Sequence, residues 1–305
     1  MRITVVGDLL LDADLGGRAD RLSPDAPVPV VAVDATVRRP GGAGLVATLL
    51  ARDGIDTTLV TVLADDDRGR ELRSLLAEID RAAAGDLRLV AGRSPSPTPV
   101  KTRVRAGSHA VVRIDESCDA PAPPIVTAEM LAVLAEADAI VVADYGRGLT
   151  ADPRLRAALS AATDRVAVVW DPHPRGADPV PGVAVVSPNL AEARAAAGVT
   201  TSGMPGAGDA ARLLAARWNV DAVLVTLSER GALLHRRRSH DAIPHVVPAS
   251  PGDLPRPLRG GRPARRNARE QPGGRRVAPR GGAGGGRRGR AIPRGGRGGV
   301  ADGRR

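Results

Sequence analysis

The tetrapeptide Gly206-Ala207-Gly208-Asp209, in the stretch PGAGDAARLLAARW, has the residue types that phosphoryl chemistry needs. Two glycines let backbone N–H groups converge on an anion, a helix N-terminus adds to the attraction, and a carboxylate behind them can take a proton. The same letters suit a plainer role, with Asp209 as a residue at the start of an amphipathic helix. The letters alone do not decide, so the choice rests on where the fold puts them.

The elements that must position such residues follow a clear rhythm. RITVVGD is a β-branched run ending in Gly-Asp, and GGAGLVATLLARDG reads as a glycine turn, an amphipathic helix and a stop at Gly54. DTTLVTVLADDDRG is a strand with an acidic loop, and RELRSLLAEI is a helix. ADAIVVADYGRG, RVAVVWDPHP and GVAVVSPNLAEARAAAG each begin with a continuous apolar strand and end in a polar loop. DAVLVTLSERGALLHR reads as a strand that opens a hairpin. Apolar strands alternating with helices predict an α/β fold, a parallel sheet with helices on both faces. Polar residues cluster just past the strand C-termini, where open α/β sheets bind ligands. Two segments, about 26–38 and 97–115, alternate without helices and predict a small antiparallel β flap, placed to act as a lid.

Composition separates a body from a tail. The chain of 305 residues carries a net charge of +10, yet residues 251–305 hold sixteen Arg against Asp253, Glu270 and Asp302. The first 250 residues are therefore net acidic. No apolar run is long enough to span a bilayer, and no signal peptide is read at the N-terminus. The single Cys118 excludes an internal disulfide and fits a reducing cytoplasm. The chain has no Phe, and Lys101 is its one lysine among many arginines, the residue usage of a GC-rich gene.

VVGDLLLDADLGGRADRLSPDAPVPVV followed by RRPGGAGLVATLLARDG resembles the start of a ribokinase-like (pfkB family) carbohydrate kinase. The likeness is greatest to the kinase domain that phosphorylates heptose 7-phosphate at the anomeric hydroxyl, and RLSPDAPVPVV is its most specific piece. ADYGRGL, WDPHPRG, SPNLAEA and VLVTLSERG follow in the family's order, and the resemblance covers residues 1–248. It implies ATP and Mg2+ as cofactors, a sugar phosphate as substrate, with another sugar or a nucleoside as the alternative acceptor, and a homodimer formed through the flap. Asp12, Gly41, Gly42, Lys101, Arg103 and Asp144 are the implied sugar and phosphate contacts. Asn189, Glu192, Thr226, Ser228 and Gly231 are the implied nucleotide contacts, with Glu192 acting indirectly on the metal. Leu45 stands where the family often has Asn, which removes one polar contact.

In that family Gly-Ala-Gly-Asp follows the strand corresponding to VLVTLSERG, whereas here it precedes it. Asp209 is therefore expected to be a helix-start residue at the wrong end of the sheet, and the catalytic base is unassigned. Residues 249–305 lack apolar periodicity, which predicts a disordered tail that binds nucleic acid non-specifically at most. Their Arg, Gly, Pro and Ala content is what a GC-rich gene yields when read out of frame. PLRGG, encoded as CCG CTT CGC GGC GGC, gives Arg-Phe-Ala-Ala when read one nucleotide later, and the family's motif is commonly followed by such a Phe-Ala sequence.

Overall fold

The computed structural model describes residues 1–237 and 244–249. The expected tail lies almost wholly outside them. Strand β1 (Arg2–Gly7) leads directly into β2 (Leu9–Leu22), β3 (Pro29–Gly42) and helix α1 (Ala43–Arg52). Then come β4 (Asp56–Leu63), α2 (Asp67–Ala82), β5 (Leu87–Arg93), and the hairpin β6 (Val100–Ala106) and β7 (His109–Glu116). The chain continues through α3 (Ala128–Ala132), β8 (Ala139–Ala143), α4 (Pro153–Thr163), β9 (Ala167–Asp171) and β10 (Val185–Val186). It closes with α5 (Leu190–Ala197), α6 (Gly203–Arg217), β11 (Ala222–Thr226), β12 (Ala232–Arg236) and β13 (His245–Val247).

Nine strands form one sheet in the order β13-β12-β11-β10-β9-β8-β1-β4-β5. From β11 to β5 every pairing is parallel, and β12 and β13 add antiparallel strands at one edge. Period-two alternation sends neighbouring side chains to opposite faces. Val5 and Leu59 pack with Ala43, Ala47, Ala51, Leu72 and Leu76 of α1 and α2. Val6, Val60, Ile140 and Trp170 pack with Leu155, Leu159 and Leu214 of α4 and α6. Both faces are thus covered by helices, as the apolar runs imply.

Local chemistry fixes the helix ends. The Asp66 side chain accepts from Gly69 N at 2.7 Å at the start of α2, and Asp152, followed by Pro153, accepts from the N–H groups of Arg154 and Leu155 at 2.9 and 3.0 Å. Each satisfies backbone donors that lack an intrahelical partner. No helix among the described residues is long and apolar enough to cross a membrane.

The flap differs from expectation. It is a four-stranded sheet, β3-β2-β6-β7, and its β2–β6 pairing is parallel, so it is mixed rather than antiparallel. The centre strand β2 was not foreseen, because LLLDADLGGRADRL mixes charges with a glycine pair. β5, on the edge of the large sheet, was also not foreseen. DAVLVTLSERGALLHR does form the expected hairpin, β11 with β12.

Candidate functional site

Four adjacent parallel strands end in polar groups on one edge of the large sheet. Asp144 follows β8, Asp171 ends β9, Ser187 follows β10 and Thr226 ends β11. With Tyr145, His173, Asn189 and Glu192 they line a cleft of about 440 Å³. Of the residues singled out in the sequence, Asp144, Asn189, Glu192 and Thr226 meet in this cleft.

Asp144 is buried, accepting from Gly146 N at 2.7 Å and from the Thr150 hydroxyl at 2.6 Å. Asn189 caps α5, its side chain accepting from the N–H groups of Ala191 and Glu192 at 2.9 and 3.0 Å, while Glu192 accepts from Asn189 N at 2.9 Å. This is a reciprocal capping box. It orients both side chains and gives Glu192 a structural duty besides any ligand. Thr226 N donates to Pro188 O at 3.0 Å and joins the two loops. Ser228 and Gly231 lie in the turn between β11 and β12, outside the cleft wall. Gly231 has φ +91, and a Cβ there would lie 1.9 Å from Val247 O, so only glycine lets β13 pass this turn. Ala249 N lies within 2.7 Å of the same position, so the described chain leaves β13 beside this turn.

Of the residues expected to contact the sugar, all but Asp144 lie on the flap and its root. Asp12 is buried in β2 and accepts from Arg103 Nη1 at 2.9 Å. Lys101 Nζ stands 5.5 Å from the centre of the Tyr145 ring, a cation–π contact that joins the flap to the cleft. A Cβ at Gly41 would meet Asp12 Oδ2 at 2.7 Å, and one at Gly42, where φ is +61, would meet Asp8 O at 2.4 Å. Gly42 is required by its own backbone before any ligand is considered, whereas a side chain at Gly41 would have to displace those of Leu10 and Asp12.

Sequence reasoning missed Asp8, Tyr145, Asp171 and His173. Burial pushes Asp8 up to about 6, against hydrogen bonds from the N–H groups of Tyr145 and Arg147 at 2.9 and 3.1 Å. Asp171 lies at the exposed end of β9, on the cleft wall. Desolvation, then the nearby Glu192 and Asp144 carboxylates, push it up to about 6. Burial and then Asp171 raise Tyr145, and burial and then Arg175 lower His173. The two rings stack at 6.4 Å. The available signal was the polar letter directly after each apolar run, as in VVWDPHP.

Asp209 sits in the interior of α6, which begins at Gly203 behind Ser202, so it does not start the helix as expected. Its side chain is half exposed, 4.0 Å from Arg212 one turn on. A side chain at Gly208 would meet the Pro244 ring at 3.7 Å, which places this turn beside the start of β13. Gly206 is buried against Thr201, where a Cβ would lie 2.0 Å from the carbonyl oxygen. Gly206 is therefore required by its packing against Thr201, whereas Gly208 has room for a side-chain carbon.

No family model matches the sequence. Bifunctional protein HldE of Streptomyces coelicolor is 46% identical over 252 residues, covering 81% of this chain and 50% of that protein. HldE of Caulobacter sp. is 38% identical over 235 residues, covering 76% and 47%. The chain thus spans about half the length of the curated relatives it matches. Among solved structures, phosphofructokinase-2 from Escherichia coli in complex with fructose-6-phosphate superposes with TM-score 0.58 at 18% identity, covering 82% of this chain and 80% of that one. Ribokinase of Arabidopsis thaliana, complexed with ribose and ATP, gives TM-score 0.57 at 17% identity, covering 81% and 77%. The strand order, the flap and these sequence relatives together show that the chain belongs to the ribokinase-like carbohydrate kinase family, among the relatives of HldE.

Proposed function

We propose that residues 1–248 form a sugar kinase domain whose reaction is ATP-dependent phosphorylation of a sugar phosphate, heptose 7-phosphate at its anomeric hydroxyl. The observation that carries this reading is the cleft at the strand ends, lined by the carboxylates of Asp144, Asp171 and Glu192 and the amide of Asn189, with Lys101 of the flap standing over its Tyr145 wall. A sugar phosphate needs both acceptors and a nearby cation.

In this reading Asp12 accepts hydrogen bonds from sugar hydroxyls, and Gly41 lets the chain approach closely. Lys101 and Arg103 meet the substrate phosphate as charge-assisted donors. Arg103 also holds Asp12 in place before substrate arrives. Asp144, its two oxygens already engaged by Gly146 and Thr150, is a rigid acceptor at the cleft floor. Asn189, Glu192 and Thr226 border the nucleotide side, with Ser228 and Gly231 shaping the adjacent turn.

The residues present fit Mg2+. Among the described residues no group of three His, Cys, Asp or Glu could hold a metal ion. Mg2+ in nucleotide sites needs only one or two carboxylates together with phosphate oxygens. Asp171, Glu192 and Asp144 bring three carboxylates to one cleft wall, and a cation there would offset both the desolvation that chiefly raises Asp171 and the smaller repulsion from its two neighbours. When bound, the metal supplies charge neutralisation at the phosphates.

The family's Gly-Ala-Gly-Asp belongs after β12, in residues outside the described ones. We read residues 249–305 as out-of-frame sequence and the chain as a weak or inactive kinase that retains sugar binding. A positioned base contributes about 10²–10⁴-fold in rate, and preorganised anion-hole donors about 10²–10³-fold. The nucleotide sequence around codon 250 tests this. Another frame encoding Gly-Ala-Gly-Asp and an apolar helix supports it, and restoring that frame should restore turnover. Heptose 7-phosphate should be the preferred acceptor in a panel with ribose, adenosine and fructose 6-phosphate. Turnover of ribose or adenosine alone would reject the substrate. Two copies pair through the outer face of the flap, where Val112 and Ile114 are half exposed. The reading includes no nucleic-acid substrate; the arginine-rich tail attracts polyanions only non-specifically.

A further inference from the structure

The flap hairpin is an excursion from the large sheet that leaves after β5 and returns before α3. At its root Arg93 and Ile125 exchange backbone hydrogen bonds of 3.2 and 2.8 Å. The entering segment is held by the Asp66 carboxylate, which accepts from Thr98 N at 2.8 Å and Thr98 Oγ1 at 2.7 Å. The returning segment, 117–119, is held differently. Arg147, in the loop after β8, donates from Nη1 to the carbonyls of Ser117 and Asp119 at 3.0 and 3.3 Å. Its Nη2 donates to Pro97 O at 3.5 Å, so one guanidinium spans both connections of the hairpin. Arg175, in the loop after β9, donates to Cys118 O at 3.2 Å.

The base of this clasp is rigid. Asp8 is buried in the core, and its Oδ2 accepts the N–H groups of both Tyr145 and Arg147. The loop that carries Arg147 therefore also carries Tyr145, whose ring meets Lys101 of β6. A guanidinium suits the task because its planar fork offers several donors in fixed directions, which an ammonium does not.

We propose that Arg147 is a positioning residue: by holding the carbonyls of Pro97, Ser117 and Asp119 it seats the flap, and with it Lys101, over the cleft. Arg175 is the second hold on the returning segment. The role assigned to the seated flap rests on the sugar-phosphate reading above, whereas the clasp itself does not.

The single cysteine reports the clasp directly, because Cys118 lies half-buried in the returning segment. Alkylation of Cys118 by iodoacetamide in the full chain is expected to be at least about tenfold faster in Arg147→Ala than in the unaltered protein, because the variant loses all three carbonyl contacts and even one charge-assisted hydrogen bond has an equilibrium effect of about that size. Arg147→Lys should fall between the two. Burial and then the Asp115 carboxylate raise the Cys118 thiol while the neighbouring Lys101, Arg147 and Arg175 lower it, so removing a cation by itself slows thiolate chemistry. Acceleration must therefore come from exposure. Arg154→Ala is the control, since Arg154 also donates to a backbone carbonyl, Val126 O at 2.7 Å, away from the flap strands. Equal labelling of Arg147→Ala and the unaltered protein, or equal acceleration in Arg154→Ala, overturns the proposal. In the binding arm, calorimetry with heptose 7-phosphate and with ATP should show Arg147→Ala weakening the sugar phosphate about tenfold and leaving ATP unchanged. Equal loss of both ligands would mark general damage and reject a positioning role. If the unaltered protein binds no sugar phosphate, the substrate reading fails while Cys118 labelling still decides the clasp.

Discussion

The large sheet and the flap are held by different forces. In the large sheet Val5, Leu59, Ile140, Trp170 and Val223 are fully buried between two helical layers. In the flap every residue of β7 is exposed, and the cleft-side face is joined by ion pairs: Arg39 with Asp14, Arg103 with Asp12, and Arg113 with Asp115. Register places Lys101, Arg103, Arg113 and Asp115 on one face and Thr102, Val112 and Ile114 on the other. Burial of apolar area is the dominant stabilising force, whereas an exposed ion pair such as Arg113–Asp115 contributes about 0–1 kcal/mol and a part-buried one such as Arg103–Asp12 offsets little more than its own desolvation. Stability should therefore reside in the large sheet, and the flap's position should depend on its root.

The largest expected effect tests this contrast. Trp170 is 0% exposed, and Trp170→Ala should cost about 3–5 kcal/mol in urea unfolding. Val112, 50% exposed on the flap, should cost under about 0.5 kcal/mol when changed to Ala in the monomer. Similar costs at both sites would break the distinction. Val112→Asp sharpens it further: a dimer formed through the flap should dissociate in sedimentation, with the unfolding midpoint of the monomer unchanged.

The same contrast explains what the sequence disclosed. The large sheet was legible because strands buried on both faces must be continuously apolar, and RITVVG or AIVVA has few other readings. β2 was hidden because a flap strand with one wet face tolerates Asp12, Asp14, Arg18 and two glycines, a pattern shared with loops. The cleft was half legible. Asp144, Asn189, Glu192 and Thr226 carry motif order, but Asp8 and Tyr145 acquire their roles from contacts 137 residues apart. Asp209 was misplaced within its helix because GMPG, poor in helix formers, hid the first turn of α6.

Lys101→Met is the next perturbation in size. It keeps the stem and removes the charge over Tyr145. Losing one charge-assisted contact should weaken sugar-phosphate binding about 10- to 100-fold. ATP binding, on the strand-end side, should not change. Calorimetry with both ligands checks this, and parallel loss of ATP affinity would dissolve the division of the cleft into two sides.

Asp8→Asn probes the buried side of the same division. The folded protein holds the Asp8 proton more tightly than the unfolded chain, at about 6 against 3.8. A raised carboxyl contributes stability that is lost as pH rises from about 4 to about 6, and the loss persists above. Asn carries no charge, and its single oxygen can accept from both Tyr145 and Arg147. Its amide N–H groups lack a partner, which offsets part of the gain. The variant should therefore be about 1 kcal/mol more stable at pH 7.5, with the gain vanishing towards pH 4. A pH-independent difference would mean that Asp8 ionisation does not load the core.

The smallest expected effect is at Asp209. Its partner Arg212 lies 4.0 Å away one turn along α6, and both side chains are more than half exposed. Such a pair contributes about 0.3–0.5 kcal/mol, so Asp209→Asn should barely move the unfolding midpoint. Sugar and nucleotide binding should also be unchanged, because this turn lies beside the start of β13 and not on the cleft wall. A general base has another signature: its amide variant keeps ligand affinity and loses about 10²–10⁴-fold in turnover. The comparison needs a chain with measurable kinase activity, the frame-restored version if the protein as it stands is inactive. Loss of turnover with intact sugar binding would return Gly206–Asp209 to the chemistry its letters first invite. Unchanged turnover would leave it as a helix interior in which Gly206 answers to Thr201.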